Sequence, residues 1–229
     1  MAAHTLEKTV ERLVAVHEVQ QVMGKYEYYL ECGMGEEIVG LFAAKTPGVT
    51  ANIGDWGVFK GIDGVRRLFV GIIAGMMKQP GCLAEADLTT PVIEIAGDGS
   101  TAKAVWLSPG FETTRDPRTN EVRAGWCWTK YACDFVKEDG EWKLWHWNNF
   151  LTFFSEYDKG WKEGGEHYTR HKGEELAFPP ELAPDGPPLH RHMPYSPDSA
   201  PQLLPAFPTP YETYDGSQDW IDPTRPCLG

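Results

Sequence analysis

Apolar residues between positions 5 and 31 recur every three or four residues: Leu13, Val16, Val19, Met23, Tyr26 and Leu30. That spacing gathers them into one stripe of a long helix. Thr5 can cap its start, with Lys8 where a capping box would prefer Glu. Gly33 and Gly35 end it. "EEIVGLFA" (36–43) predicts a short second helix. "GVTANIGDWGVFKG" (48–61) predicts two short strands around a Gly-Asp turn. "GIDGVRRLFVGIIAGMM" (61–77) predicts a third helix, capped by Asp63. Strand patterns follow in "DLTTPVIEIA", "TAKAVWLSPGFET", "RAGWCWTKYACDFVK" and "EWKLWHWNNF", separated by turn-forming segments. Helices followed by a four-stranded antiparallel meander predict an α+β fold, with the helices on one sheet face.

The last of these strands breaks the usual alternation of apolar and polar residues. One face of 141–150 carries Trp142, Leu144, His146, Asn148 and Phe150; the other carries Lys143, Trp145, Trp147 and Asn149. Both faces therefore need cover. A two-residue turn at Asp139-Gly140 would place Phe135 opposite Leu144, Cys133 opposite His146 and Tyr131 opposite Asn148. One face then holds Thr129, Tyr131, His146 and Asn148. The other holds Trp126, Trp128, Lys130, Trp145 and Trp147. A one-residue slip would exchange the first strand's set, so the register decides whether Lys130 or Tyr131 faces inward.

Beyond residue 155 the pattern fades. Residues 178–229 hold most of the proline yet keep Tyr195, Tyr211, Tyr214 and Trp220. A body over 1–155 and a Pro-rich extension over 156–229 are expected, the extension packed on the body or on a partner subunit. With nine Trp, nine Tyr and ten Phe the chain can build a large core, and its net charge of −12 disfavours nucleic acid and anionic membrane as partners. The longest apolar run, Leu68–Met77, is too short to span a bilayer. Five cysteines without a C-x-x-C pair suggest neither a zinc site nor a disulfide framework, and point to a reduced cytoplasm.

Four segments together carry a family resemblance: "YEYYLECGMGEEIVGLFA" (26–43), "ANIGDWGVFKGIDGVRRLF", "DGSTAKAVW" and "DFVKEDGEWKLWHW". In this order the chain resembles the SnoaL-like branch of the nuclear-transport-factor-two-like superfamily, over residues 5–155. The resemblance implies a cone: a strongly curved sheet wrapped around helices, with a deep pocket between and dimerisation through the outer sheet face. It also implies an acidic general base near the end of the first helix, spaced as Tyr26, Glu31 and Phe42, with Glu31 where Asp is usual. The long extension is similar to that of bacterial lyases that release formaldehyde from lignin-derived diarylpropanes without a cofactor.

Several side chains have the chemistry for such a pocket. His146 offers an imidazole, the side chain most often used for acid–base work. Tyr131 and Asn148 can donate to a developing oxyanion, and Tyr28 lies three residues before Glu31. Trp56, Trp106 and Trp126 can wall an aromatic ligand, with Lys130 beside them. Glu166, His167 and His171 have helical ligand spacing but no metalloprotease pattern, so no metal and no cofactor is expected. The expected function is a cofactor-independent lyase acting on a bulky hydroxylated aromatic compound. A dehydratase, isomerase or polyketide cyclase using the same groups, and a non-catalytic binding module, remain the alternatives.

Overall fold

The computed structural model describes residues 5–54, 56–116, 119–162, 178–190, 194–200, 203–216 and 220. Helix α1 (Leu6–Glu31) starts at Thr5, whose hydroxyl accepts from the Lys8 amide. It ends in a left-handed Gly33: the Gly33 and Met34 amides donate back to the Leu30 and Tyr29 carbonyls. This closes the last turn in a Schellman motif. The buried face of α1 is Ala15, Val19, Val22, Met23, Tyr26 and Glu27, while Leu13 is 65% exposed. The buried stripe is thus rotated from the one that Leu13 suggested, and it takes in a glutamate.

Helix α2 (Gly35–Gly40) leads to β1 (Thr50–Ile53) and β2 (Gly57–Lys60). The next helical segment is three pieces in series: α3 (Gly61–Arg66), a π-helical turn (Arg67–Ile73) and α4 (Ala74–Met77). Asp63 lies in the first turn of α3 and is not its cap. Lys60 holds the cap position, and its amide donates to Asp185 Oδ2 at 2.7 Å. Asp185 also pairs with Arg67 at 2.6 Å. A residue of the C-terminal extension therefore secures this helix start.

Five further strands follow: β3 (Leu83–Ala86), β4 (Thr89–Ile95), β5 (Thr101–Arg115), β6 (Val122–Glu138) and β7 (Glu141–Glu156). The expected meander is β4–β7. It extends into a mixed seven-stranded sheet of order β2-β1-β7-β6-β5-β3, with β4 also on β5 and β1 parallel to β7. The sheet is curved and open, and α1 packs on its inner face against β3, β4 and β7. No helix among the described residues is long and apolar enough to cross a membrane.

The β6–β7 hairpin turns at Asp139-Gly140, both at positive φ as a type I′ turn needs. Phe135 faces Leu144 as expected, but a bulge between Asp134 and Phe135 then shifts the ladder. Asp134 faces His146, Cys133 faces Trp147 and Tyr131 faces Asn149. The extra residue, Trp145, reverses the side chains of β7 that follow it, as far as a second bulge at Thr152. Tyr131, Cys133 and Trp147 therefore join the inner core, while Ala132 and Phe150 lie on the outer face with Trp220.

The outer face is covered in part by the extension. Tyr214 lies against Trp145 with ring centroids 4.6 Å apart, and the Tyr211 hydroxyl meets Thr101 Oγ1 at 3.1 Å. Trp220 is 2% exposed. Near the other end of the hairpin, Trp126, Trp128, Phe153, Tyr157 and Trp161 form a stacked aromatic cluster. Trp147, expected outside, is inside, and Trp145 is covered by the same chain. These two residues therefore give no reason for a partner subunit.

Candidate active site

Between α1, α4 and the inner sheet face lies a partly open cavity of about 150 Å³. Tyr26 and Leu30 of α1 form one side, and Met76 and Met77 of α4 another. Trp56 closes the β1–β2 end, and Tyr131 and Trp147 form the floor. Rings meet edge to face or tilted around it: Tyr26 and Tyr131 at 5.7 Å, Tyr26 and Trp147 at 5.6 Å, Tyr131 and Trp147 at 5.5 Å. Such a wall suits an aromatic ligand. A void of this order accepts a single benzene-sized ring.

Glu27 is the exceptional group. Only 7% exposed, it follows Tyr26 on the buried face of α1, and neither carboxylate oxygen has a hydrogen-bond partner among the described residues. Burial pushes its pKa well above the ordinary range. The neighbouring Tyr131 side chain opposes this, while Glu31 and Asp87 add to it. A buried carboxyl without such a partner is costly, so its retention next to Tyr131 of the cavity floor points to a reaction or a ligand. Burial likewise raises the Tyr131 and Tyr26 phenols, with Glu27 adding to both. The Trp147 indole N–H is also buried without an acceptor among the described residues. A phenol that can give a proton and an indole donor thus line one apolar space, and the Glu27 carboxyl, which can take a proton, acts on that phenol without itself being part of the lining.

The other expected residues are distributed differently. Glu31 lies at the exposed end of α1, one turn beyond Glu27. Its pKa is raised by desolvation and by Glu85 beside it. Tyr28 shares that outward face and is 75% exposed, so it cannot reach the cavity. His146 is buried on the outer face, its Nδ1 2.8 Å from Asp134 Oδ2, because the bulge turned it away from the pocket. Asn148 lies on the same face and donates to the Ala132 carbonyl at 3.0 Å. Lys130 is outer too, donating to the Leu204 carbonyl at 2.9 Å, and burial lowers its pKa. The register therefore puts Tyr131 inward and Lys130 outward.

Of the three tryptophans, Trp56 lines the cavity. Trp106 is buried in the core against Phe135, and Trp126 stacks on Tyr157 on the outer face. Glu166, His167 and His171 lie outside the described residues. Among the described residues no group of three His, Cys, Asp or Glu is placed to hold a metal ion.

Sequence reasoning missed Glu27 and put Trp147 on the wrong face. A signal for Glu27 was present: Ala15, Val19, Met23 and Glu27 repeat every four residues, so the glutamate continues an apolar row. No comparable local signal marks Trp147, whose side depends on the bulge.

A SnoaL-like domain model matches residues 11–148, more than half of the chain. The chain belongs to this family. Among solved structures it is similar to a candidate scytalone dehydratase from Novosphingobium aromaticivorans, with TM-score 0.55 and 18% identity, covering 72% of this chain and 99% of that one. It is also similar to a type 2 hexachlorocyclohexane dehydrochlorinase, with TM-score 0.53 and 14% identity over 72% and 99%. A third, the type 3 enzyme from Novosphingobium barchaimii, gives TM-score 0.53 and 12% identity over 66% and 95%. At these identities the likeness is one of fold. No curated protein matches the sequence.

Proposed function

We propose that this SnoaL-like protein is a cofactor-independent lyase that removes a small group from a bulky hydroxylated aromatic compound, with Glu27 as the general base. The observation that carries this is the buried Glu27 carboxyl, which has no hydrogen-bond partner within normal geometry among the described residues and acts on Tyr131, a residue of the cavity lining. A carboxylate with a raised pKa is a stronger base than a solvated one. Tyr131, kept neutral by burial, can protonate a departing oxygen. The Trp147 N–H is a donor for a substrate oxygen.

The same pair serves two eliminations. For loss of water, Glu27 takes a proton from carbon; its C–H pair forms the alkene and the neighbouring hydroxyl leaves with a proton from Tyr131. For loss of formaldehyde, Glu27 takes the proton of a primary alcohol. The C–C bond breaks, its pair forms the alkene, and a neighbouring hydroxyl leaves as water. The second course fits a two-ring diarylpropane, with one ring in the cavity and the other at its open side. The extension, so far as it is described, adds Phe178 against Trp56 on that wall.

The test is to incubate the full chain with hydroxylated diaryl compounds carrying a primary alcohol, and to follow formaldehyde and product mass. Formaldehyde release lost in Glu27→Gln supports the formaldehyde course; loss of water alone assigns a dehydratase. Tight binding with no turnover across the series would overturn the lyase reading and leave a binding module.

A further inference from the structure

We infer that Leu182, in the C-terminal extension, limits the width of the aromatic ring that the cavity accepts and so turns away rings substituted on both flanks. This rests on the reading of the cavity as the ligand site. It concerns binding, so it stands or falls separately from turnover.

The wall that Leu182 controls is helical. The π-helical turn at Arg67–Ile73 joins α3 to α4. Its last residue, Ile73, lines the cavity, as do Met76 and Met77 of α4. The same turn carries Phe69, wholly buried, whose ring meets Tyr26 at 5.8 Å and Trp147 at 5.4 Å. Those two rings belong to the cavity lining. A π turn is where a helix bends. The seat of this turn therefore sets how near Ile73 and α4 stand to the sheet.

Two close approaches at glycine fix that seat. A Cβ on Gly35 of α2 would lie 2.5 Å from the Phe69 carbonyl oxygen. A Cβ on Gly71, within the turn, would lie 2.5 Å from Leu182 Cδ2. Gly71 is exposed, so Leu182 rests on the solvent side of the turn while Phe69 and Ile73 face in. Leu182 closes a short 3₁₀ turn, Pro180–Leu182, and the extension is anchored on both sides of it. Before it, Phe178 packs on Trp56 and Phe59, with ring centroids 5.5 and 6.5 Å away. After it, Asp185 pairs with Arg67, the first residue of the π turn, at 2.6 Å.

Leu182 is not itself a lining residue, so it acts through the turn, as a positioning residue. A close-packed wall has few voids to absorb a shift, so pressure on one side reaches the other. A cavity of about 150 Å³ holds a benzene-sized ring and little more. A ring with a methyl group on each flank must push Ile73 and the turn outward, against Leu182. Truncating Leu182 gives the turn room to retreat.

Two probes test this, 4-hydroxybenzyl alcohol and 4-hydroxy-3,5-dimethylbenzyl alcohol, titrated into the full chain by calorimetry at neutral pH. The second is wider on both flanks, so it cannot enter with its bulk turned to the open side. The parent should bind it at least ~10-fold more weakly than the first. In Leu182→Ala the ratio of the two Kd values should move toward the wider probe by at least ~5-fold. Leu182 is half-buried, so this variant should fold. Adding Gly71→Ala puts a methyl group back into the space that Leu182 Cδ2 left, and should return most of the shift.

A ratio unmoved in Leu182→Ala, both probes weakened alike, or a double variant no nearer the parent than the single would overturn the inference. Binding of neither probe by the parent would overturn it together with the cavity as ligand site. A shifted ratio without turnover of any diaryl compound would sink the lyase reading and leave this one standing. Turnover with an unmoved ratio would do the reverse.

Discussion

Cys133 lies opposite Trp147, one residue out of step with the Phe135–Leu144 pair nearer the turn. That single displacement puts Trp147 into the cavity floor and sends His146 to the opposite face against Asp134. Lys103 completes the outer network, its Nζ 2.9 Å from Asp134 Oδ1 and about equally near the rings of Tyr214 and Trp220, at 5.0 and 4.9 Å.

His146 is therefore expected to hold the fold together without taking part in the chemistry. His146→Ala removes a buried partner of Asp134 and should cost about 3 kcal/mol of stability. Turnover per folded molecule should stay within roughly threefold of the parent, since the ring does not reach the cavity. Denaturant unfolding with kcat measured below the transition separates the two. A large loss of kcat in a stably folded variant would return His146 to the mechanism.

Glu27→Gln should lower kcat by roughly 10²- to 10⁴-fold, with binding of the aromatic substrate largely retained. The same change should stabilise the protein at neutral pH. Burial raises the folded pKa of Glu27 above its unfolded value of about 4.3. The folded state thus holds that proton more tightly. The resulting stabilisation is full below the unfolded pKa and is lost as pH rises through the folded pKa. Thermal unfolding across pH should show a flatter profile in Glu27→Gln, with the variant ahead at neutral pH.

Glu31→Gln separates the helix-end acid from the buried one. Glu31 raises the pKa of Glu27 by repulsion. Removing its charge should shift the acid limb of the kcat/KM profile to lower pH while the plateau changes little. A plateau loss as large as that of Glu27→Gln would make Glu31 the base instead.

The extension should be needed for the site. Phe178 packs on Trp56 at 5.5 Å, and the Leu189 amide donates to Asn52 Oδ1 at 2.8 Å, so both brace the β1–β2 wall. Phe178→Ala should raise KM more than it lowers kcat. Trp220→Ala, which empties a buried site on the outer face, should cost about 3–5 kcal/mol. Proteolysis that removes residues 178–229 without loss of stability or activity would contradict both.

Turnover should be unchanged after treatment with a strong chelator and dialysis. Activity lost on chelation and restored by zinc or iron would replace the acid–base scheme with a metal-dependent one.

The sequence by itself determined the fold class and most of the elements, though not β3 or the π-helical turn. Thr5 and Gly33 mark the ends of α1, Asp139-Gly140 marks a tight hairpin, and the alternation from 101 onward marks long strands, because capping, turn geometry and periodicity act over a few neighbouring residues. It also held a muted sign of Glu27, in the four-residue row that the glutamate shares with Ala15, Val19 and Met23. What it left open was phase. A helical stripe can rotate by one position, and a strand can reverse its faces at one bulge, with little change in local energy. Only packing decided between the alternatives. Turning α1 onto the sheet buried Glu27 and left Leu13, Tyr28 and Glu31 exposed. The Trp145 bulge let Trp147 fill the inner core while His146 met Asp134 and Lys103 under the extension. Residues far apart in the chain had to be buried together for either choice to be favoured, and no stretch of neighbouring residues contains that information.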